Sequence, residues 1–462
     1  MIKHTTANLL LIVLLIGFLI LGSQYAILTP PWQSPDEPAH YNYIAQVAAD
    51  GCCPLIAPGD WDSALLEKLK AEQFPENADL SSIQYEDHQP PLFYLLAAPV
   101  FRASSGNLIA LRLFSLLLAA CVVLVIYGIA LDLLPESPAL ALAAAVAVAF
   151  IPQFLSMAAS ANNDSLALLL ISLITLFALG YVGNPIHLNL RGSLMPFDEM
   201  GRPLAIMLGL LLGLVFITKL TVVLPALAVI GTAVLARWRI DGRDRRWLIG
   251  EGVWLAITSV PIGLAWWLRD VFVYGWPDIY GMAQHDRVVL GQLRTSDLLA
   301  QVGWSEYLRQ YATITFHSFW GQFGWMGVPM PPRDYLILGA FSLFVLIGLG
   351  ILIAQFRDRV IRLPQQAAGM AILIALALAT AANLLYYNLS FVQFQGRYLF
   401  PMLGTVGLAI SLGLWGWALL IGRILKGEVW ERRLIWLPLI GVLPLIGLAA
   451  LALYRYIVPN LG

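Results

Sequence analysis

Runs of about 20 apolar residues, the length a helix needs to cross a hydrocarbon core, recur along most of this chain. They fall at 8–28, 108–134, 139–159, 165–182, 203–218, 221–237, 248–268, 335–355, 366–387, 398–421 and 434–455, which predicts about eleven transmembrane helices. The short pair within 203–237 also reads as one long bent span. Two polar stretches, 29–107 and 269–334, interrupt the series. The first holds an amphipathic segment over 61–74 with Trp61, Leu65, Leu66 and Leu69 on one side, expected to lie along the membrane surface. It also holds "QPPLFYLLAAPVF" at 89–101, too short to cross, which predicts an interfacial or re-entrant helix started by Pro90 and Pro91.

The pattern predicts an all-α polytopic membrane protein, one transmembrane domain over residues 1–462 with two long loops at 29–107 and 269–334. Composition agrees: 59% of residues are hydrophobic and 12% charged. The net charge of −1 gives no reason to expect nucleic acid as a partner. Residues 1–28 resemble a signal peptide in their basic start and apolar middle. They continue through Ile27 without a small-residue cleavage site, so an uncleaved first span is expected. The three cysteines, Cys52 and Cys53 among them, form neither a disulfide framework nor a paired CxxC pattern and are expected to be ordinary side chains. No internal repeat or low-complexity segment is visible.

Charge bias sets an orientation. With a cytoplasmic amino terminus, the inward loops hold Lys3, Arg191, Arg202, the cluster Arg237, Arg239, Arg243, Arg245 and Arg246, then Arg357, Arg359, Arg362, Arg423, Lys426, Arg432 and Arg433. This satisfies the positive-inside rule and places both long polar stretches on the extracytoplasmic face of a multi-pass plasma (inner) membrane protein.

On that topology several polar groups converge on the outer boundary. Asp36, Glu37 and His40 follow the first span; Tyr85, Glu86 and His88 precede the short helix; Asn162, Asn163 and Asp164 lie between the third and fourth spans. Lys219 sits at the outer turn of the short pair, Arg269 and Asp270 end the seventh span, and Gln395 and Arg397 precede the tenth. Each has a local alternative. "SPDEP" suits a helix cap, "ANNDS" a turn with an N-cap, and Lys219 and Arg397 suit snorkelling side chains. His40 and His88 also read as structural or solvated residues. Together they suit a substrate with a tail in the bilayer and a phosphate at its edge. Cations hold a phosphate leaving group, and a carboxylate takes the proton of an attacking hydroxyl. In the second loop, Phe316, His317, Trp320, Phe323 and Trp325 offer flat faces for a sugar ring, greasy walls for a lipid chain, or an aromatic belt.

The acidic pair after the first span in "SPDEPAHY", followed by "YEDHQPPLFYLL", resembles the GT-C superfamily of membrane glycosyltransferases, which includes protein O-mannosyltransferases and lipid A aminoarabinose transferases. "ANNDSLALLL", "FITKLT", "SFWGQFGW" and "QGRYLFP" resemble a bacterial branch of predicted GT-C proteins. The resemblance implies Asp36 as general base with Glu37 as its neighbour, Glu86 and His88 facing the cavity, and Lys219 and Arg397 on the phosphate. His40, Tyr85, Asn163, Asp164, Arg269, Trp320, Gln322, Gln395 and Tyr398 complete the candidate substrate-binding set. It further implies a polyprenyl-phosphate or dolichyl-phosphate sugar as donor. The large soluble carboxyl-terminal domain of many members has no counterpart before Gly462, so the acceptor is expected to be recognised by the two long loops.

The expected reaction is inverting sugar transfer to a hydroxyl on a glycan, lipid or protein. A divalent metal is left open, since Asp36 and His40 stand one helical turn apart and Glu37, Glu86 and His88 could approach. The rival readings are a lipid-linked sugar flippase, which predicts a polar path through the spans and repeated halves, and a ligase or polymerase using a lipid-diphosphate donor.

Overall fold

The computed structural model describes residues 4–183, 197–425 and 434–461. Lys3, Arg191, Lys426, Arg432 and Arg433, used above for orientation, lie outside these residues. The chain opens with α1 (His4–Leu28), and the polar stretch after it carries α2 (Glu37–Asp50), α3 (Ser63–Ala71) and α4 (Leu92–Ala103). Then come α5 (Leu108–Leu133), α6 (Pro138–Ala149), α7 (Pro152–Ala158), α8 (Asp164–Tyr181), α9 (Phe197–Phe216), α10 (Val223–Ile240) and α11 (Arg245–Tyr274). The second polar stretch holds α12 (Met282–Val288), α13 (Thr295–Trp320) and a hairpin of β1 (Gln322–Phe323) with β2 (Val328–Pro329). Three helices follow, α14 (Pro332–Phe356), α15 (Pro364–Tyr387) and α16 (Leu403–Leu425). The last span is α17 (Leu437–Leu461).

Among the described residues nine helices are long and apolar enough to cross a membrane, and the pair α6 and α7, bent by 68°, makes a tenth. With the shorter apolar segment Arg202–Phe216 they account for the predicted runs. The bend follows from Pro152, which ends α6 three residues earlier and starts α7. The region 203–237 resolves into two segments. Gly209 faces Leu255 and Thr258 while Gly213 faces Ser259 and Ile262, so α9 and α11 run parallel and α10 returns between them.

Small residues set the packing of the bundle, as membrane helices require when lipid offers no contrast in apolarity. Every residue of α6 is buried. A Cβ at Gly407 of α16 would stand 2.6 Å from the Ala144 carbonyl, so only glycine allows that approach. The two polar stretches meet on one face, where Ile56, Leu66, Leu69, Ile83, Val288 and Val289 share a separate apolar cluster. Leu66 and Leu69 of α3 are therefore buried in protein. Cys52 and Cys53 follow α2 side by side, and Cys121 is free.

Candidate active site

The site begins in the turn that ends α1. Glu37 N–H donates to the Ser34 carbonyl at 3.3 Å and His40 N–H to the Asp36 carbonyl at 3.0 Å. Asp36, the N-cap of α2, is left-handed at φ 66°, ψ −4°. That conformation costs an L-residue about 1–2 kcal/mol, and Asp is among the few residues that visit it. The change of backbone hand between Asp36 and Glu37 sends the two carboxylates in different directions.

Glu37 turns inward. Its side chain is fully buried, and Arg112 of α5 donates to it from Nε at 2.8 Å and from Nη2 at 2.6 Å. The backbone N–H groups of Trp32 and Ala161 add bonds of 3.2 and 3.1 Å. Arg112 spends its other donors on the carbonyls of Ala26, Thr29 and Pro30. One buried ion pair thus ties α1, α2, α5 and the turn before α8 into a frame.

Asp36 turns towards the carboxyl-terminal half. Arg397 donates from Nη2 to Asp36 Oδ2 at 2.6 Å, and the Tyr85 hydroxyl donates to Oδ1 at 2.9 Å. Burial pushes the Asp36 carboxyl up, but the pull of Arg397 and the Tyr85 hydrogen bond outweigh it and hold the group below the usual carboxylate range. Gly396 lets Arg397 arrive here. It packs against the backbone of Thr315 and Phe319 where no side chain fits, and its N–H donates to Ser318 Oγ at 2.7 Å.

Lys219 enters from the turn between α9 and α10, held to the start of α4 by Leu92 N–H on the Ile217 carbonyl at 2.9 Å. Its Nζ donates to Asn163 Oδ1 at 2.7 Å and Asp164 Oδ1 at 2.5 Å. His40 shares a 2.9 Å bond with the Tyr94 hydroxyl. Burial, then the positive charge of Lys219, pushes its imidazole down to about 3, so it is neutral at physiological pH. Glu86 leaves Oε2 buried without a partner. Burial, then the negative charge of Asp36, pushes this carboxyl up to about 8 against the pull of Lys219 and Arg397.

Beside these charges opens a small cleft. Asp164, Arg397 and Tyr398 line its polar end, and Ala167, Leu168, Val222 and Phe400 are among its apolar walls. Arg397 Nε is buried there without a partner. The cleft therefore joins a cationic rim to a greasy wall between helices, a shape suited to an anionic head on an apolar chain.

Other predicted residues lie elsewhere. Arg269 pairs with Asp270 at 2.7 Å, stacks over Trp266 and binds the Cys53 and Pro54 carbonyls, forming a second cluster. His88 holds the Tyr85 carbonyl at 3.0 Å with its ring 4.4 Å from that of His285. Gln395 bonds Gln393 at 3.3 Å. Trp320 is buried edge-on to Phe341, and Gln322 caps its own hairpin through the Met326 carbonyl. Phe323 is buried and His317 stacks on Tyr335 at 3.6 Å, so the aromatic run 316–325 is core packing and hairpin structure, not an open platform. Trp325 closes on the other loop through a 2.9 Å bond to the Trp32 carbonyl. Among the described residues no three His, Cys, Asp or Glu side chains form a metal-ligating group. Asp36 is engaged by Arg397 and Tyr85, and Glu37 by Arg112, so the ligand set drawn from the sequence is not assembled. Sequence reasoning missed Arg112, whose signal was a lone cation inside the apolar run 108–134, where burial demands a partner.

The fold has solved counterparts. ArnT from Cupriavidus metallidurans bound to undecaprenyl phosphate aligns with 99% of this chain and 74% of its own, at 14% identity and TM-score 0.52. The apo state of the same protein gives 15% identity and TM-score 0.53 over the same shares. The Archaeoglobus fulgidus oligosaccharyltransferase in complex with Zn and sulfate aligns with 96% of this chain and 53% of its own, at 15% identity and TM-score 0.55. Both proteins are GT-C members, and this chain has the GT-C-like all-α membrane fold the resemblance implied. No curated protein matches the sequence. The family model described as "Predicted membrane protein (DUF2142)" matches residues 54–406, and the chain belongs to that family.

Proposed function

We propose that this protein is a GT-C-type glycosyltransferase that moves a sugar from a polyprenyl-phosphate donor to a hydroxyl acceptor on the extracytoplasmic face of the plasma membrane. The observation that carries the reading is the 2.6 Å pair of Asp36 and Arg397 at the polar end of a cleft whose other walls are apolar. The undecaprenyl phosphate bound by ArnT is a ligand of the same chemistry, an anionic head on a long apolar chain.

The lipid chain lies along Ala167, Leu168, Val222 and Phe400, and its phosphate takes the free Nε of Arg397. Lys219 supplies the second cation once it exchanges Asp164 for phosphate. As phosphate displaces Asp36 from Arg397, the carboxylate loses its strongest stabilising neighbour and becomes a better base. It accepts the proton of an acceptor hydroxyl whose oxygen attacks the anomeric carbon. The bond from that carbon to the phosphate oxygen breaks on the opposite face, so configuration inverts, and polyprenyl phosphate leaves as an anion stabilised by Arg397 and Lys219. Glu37 acts as a positioning residue through Arg112.

The reading is tested with purified protein in lipid, supplied with radiolabelled polyprenyl-phosphate sugars and a membrane extract as acceptor source. Release of polyprenyl phosphate coupled to label in the acceptor is the expected result. Turnover of diphosphate donors alone would move the assignment to a ligase, and passage of intact donor across the bilayer without conversion to a flippase.

A further inference from the structure

A second polar cluster stands outside the donor site, where the outer end of α11 meets α2 and the turn over residues 84–89. Asp87 and Asp270 are 1% and 0% exposed, and each has one carboxyl oxygen, Oδ1 and Oδ2 respectively, with no partner. The Trp266 indole N–H is buried and unpartnered as well. The other oxygens are satisfied, Asp87 Oδ2 by Gln46 at 2.8 Å and Asp270 Oδ1 by Arg269 at 2.7 Å. Arg269 lies 4.6 Å above the Trp266 ring, and both carboxyls and Arg269 act on the Tyr43 hydroxyl. The group is therefore one electrostatic neighbourhood.

Burying a polar group without a hydrogen bond costs about 1–3 kcal/mol, and native proteins retain such groups where a ligand completes them. What is missing here is specific. Two carboxyl oxygens lack donors and one indole N–H lacks an acceptor, beside aromatic rings. A hydroxyl both donates and accepts, so a saccharide supplies both kinds of missing partner. A phosphate would meet two carboxyls and is disfavoured.

The cluster also has a physical connection to the donor site. Tyr43 stacks on Tyr94 at 3.6 Å, and Tyr94 bonds His40 beside Asp36. Glu86 and Asp87, consecutive in the chain, face different clusters: Glu86 feels Asp36 and Lys219, Asp87 feels Arg269.

We propose that Asp87, Asp270 and Trp266 form a saccharide-binding site that anchors the sugar acceptor, with Arg269 and Gln46 holding the two carboxyls in place. The saccharide itself follows from the unpartnered groups; its role as acceptor rests on the transferase reading above.

The test is ligand-observed saturation-transfer NMR on the full chain in lipid nanodiscs, with a panel of neutral hexoses, N-acetylhexosamines, pentoses and their disaccharides. The parent is compared with Asp87→Asn, Asp270→Asn and Trp266→Phe, each checked for unchanged helical content. At least one saccharide is expected to bind the parent, and the three cluster variants at least tenfold more weakly. Trp266→Phe removes the indole N–H and keeps an aromatic ring, so it remains informative if an Asp variant misfolds. No saccharide signal from the parent overturns the site, and so does a signal of equal strength in the parent and all three cluster variants. Saccharide binding that depends on the cluster, in a protein that turns over no lipid-linked donor, supports the site and removes the transferase reading alone.

Discussion

The Asp36 carboxylate lies 2.6 Å from the Arg397 guanidinium across 361 positions of sequence. In this arrangement the base and the phosphate-binding cation neutralise each other, so a donor phosphate competes with Asp36 for Arg397. A hydrogen bond to a charged group contributes about 1.5–3 kcal/mol. Arg397→Gln is expected to raise donor half-saturation about ten- to hundredfold, and Arg397→Lys less, because Lys keeps the charge but not the fork. Equal donor affinity in parent and Arg397→Gln, measured by binding of radiolabelled polyprenyl phosphate, would remove Arg397 from the phosphate site.

Glu37 and Arg112 answer to stability. Removing one partner of a buried pair leaves an uncompensated charge and costs about 3–5 kcal/mol. Arg112→Met is expected to lower the thermal midpoint markedly in detergent. Glu37→Gln keeps two acceptor bonds on one oxygen and is expected to lower it less. Loss of turnover in Glu37→Gln without any change in the melting curve would instead mark Glu37 as a reacting group.

The Glu86 carboxyl, pushed up to about 8, is protonated at pH 7. As pH rises through about 8 it gains a negative charge beside Asp36, Lys219 and Arg397. Because the anionic donor binds best to the protonated form, donor affinity is expected to fall on the alkaline side of that value. Glu86→Gln, which cannot ionise, is expected to flatten the alkaline limb. An unchanged limb in the variant would assign it to another group.

Thr221 is partly exposed on the wall of the cleft. Thr221→Trp fills space that the lipid chain occupies in the proposed reaction. Donor half-saturation is expected to rise at least tenfold for long-chain donors and less for a short-chain analogue. Equal effects on both would place the chain elsewhere.

The sequence showed the spans because crossing a membrane imposes a length on apolar runs that no local propensity hides. It also showed that Asp36, Lys219 and Arg397 belong at one depth, since span order and charge bias suffice for that. The fates of neighbouring residues were not legible. Asp36 and Glu37 look equivalent in "SPDEP", and only the left-handed backbone at Asp36 separates them. Arg112 was hidden in an apolar run, and its partner lies 75 positions away. Trp320 and Phe323 looked like a sugar platform because aromatic residues at a membrane edge and aromatic residues in a core share one composition. Asp87 was passed over between Glu86 and His88, yet it faces a different cluster.

The central claim is tested most directly by Asp36→Asn. Asn tolerates the left-handed conformation and keeps the shape of the side chain, so the fold and the donor site are expected to survive, as measured by thermal unfolding and polyprenyl-phosphate binding. Proton transfer by a positioned base contributes about 10²–10⁴-fold, and release of polyprenyl phosphate from the sugar donor is expected to fall by that factor at unchanged donor binding. Release at the parental rate would contradict the account.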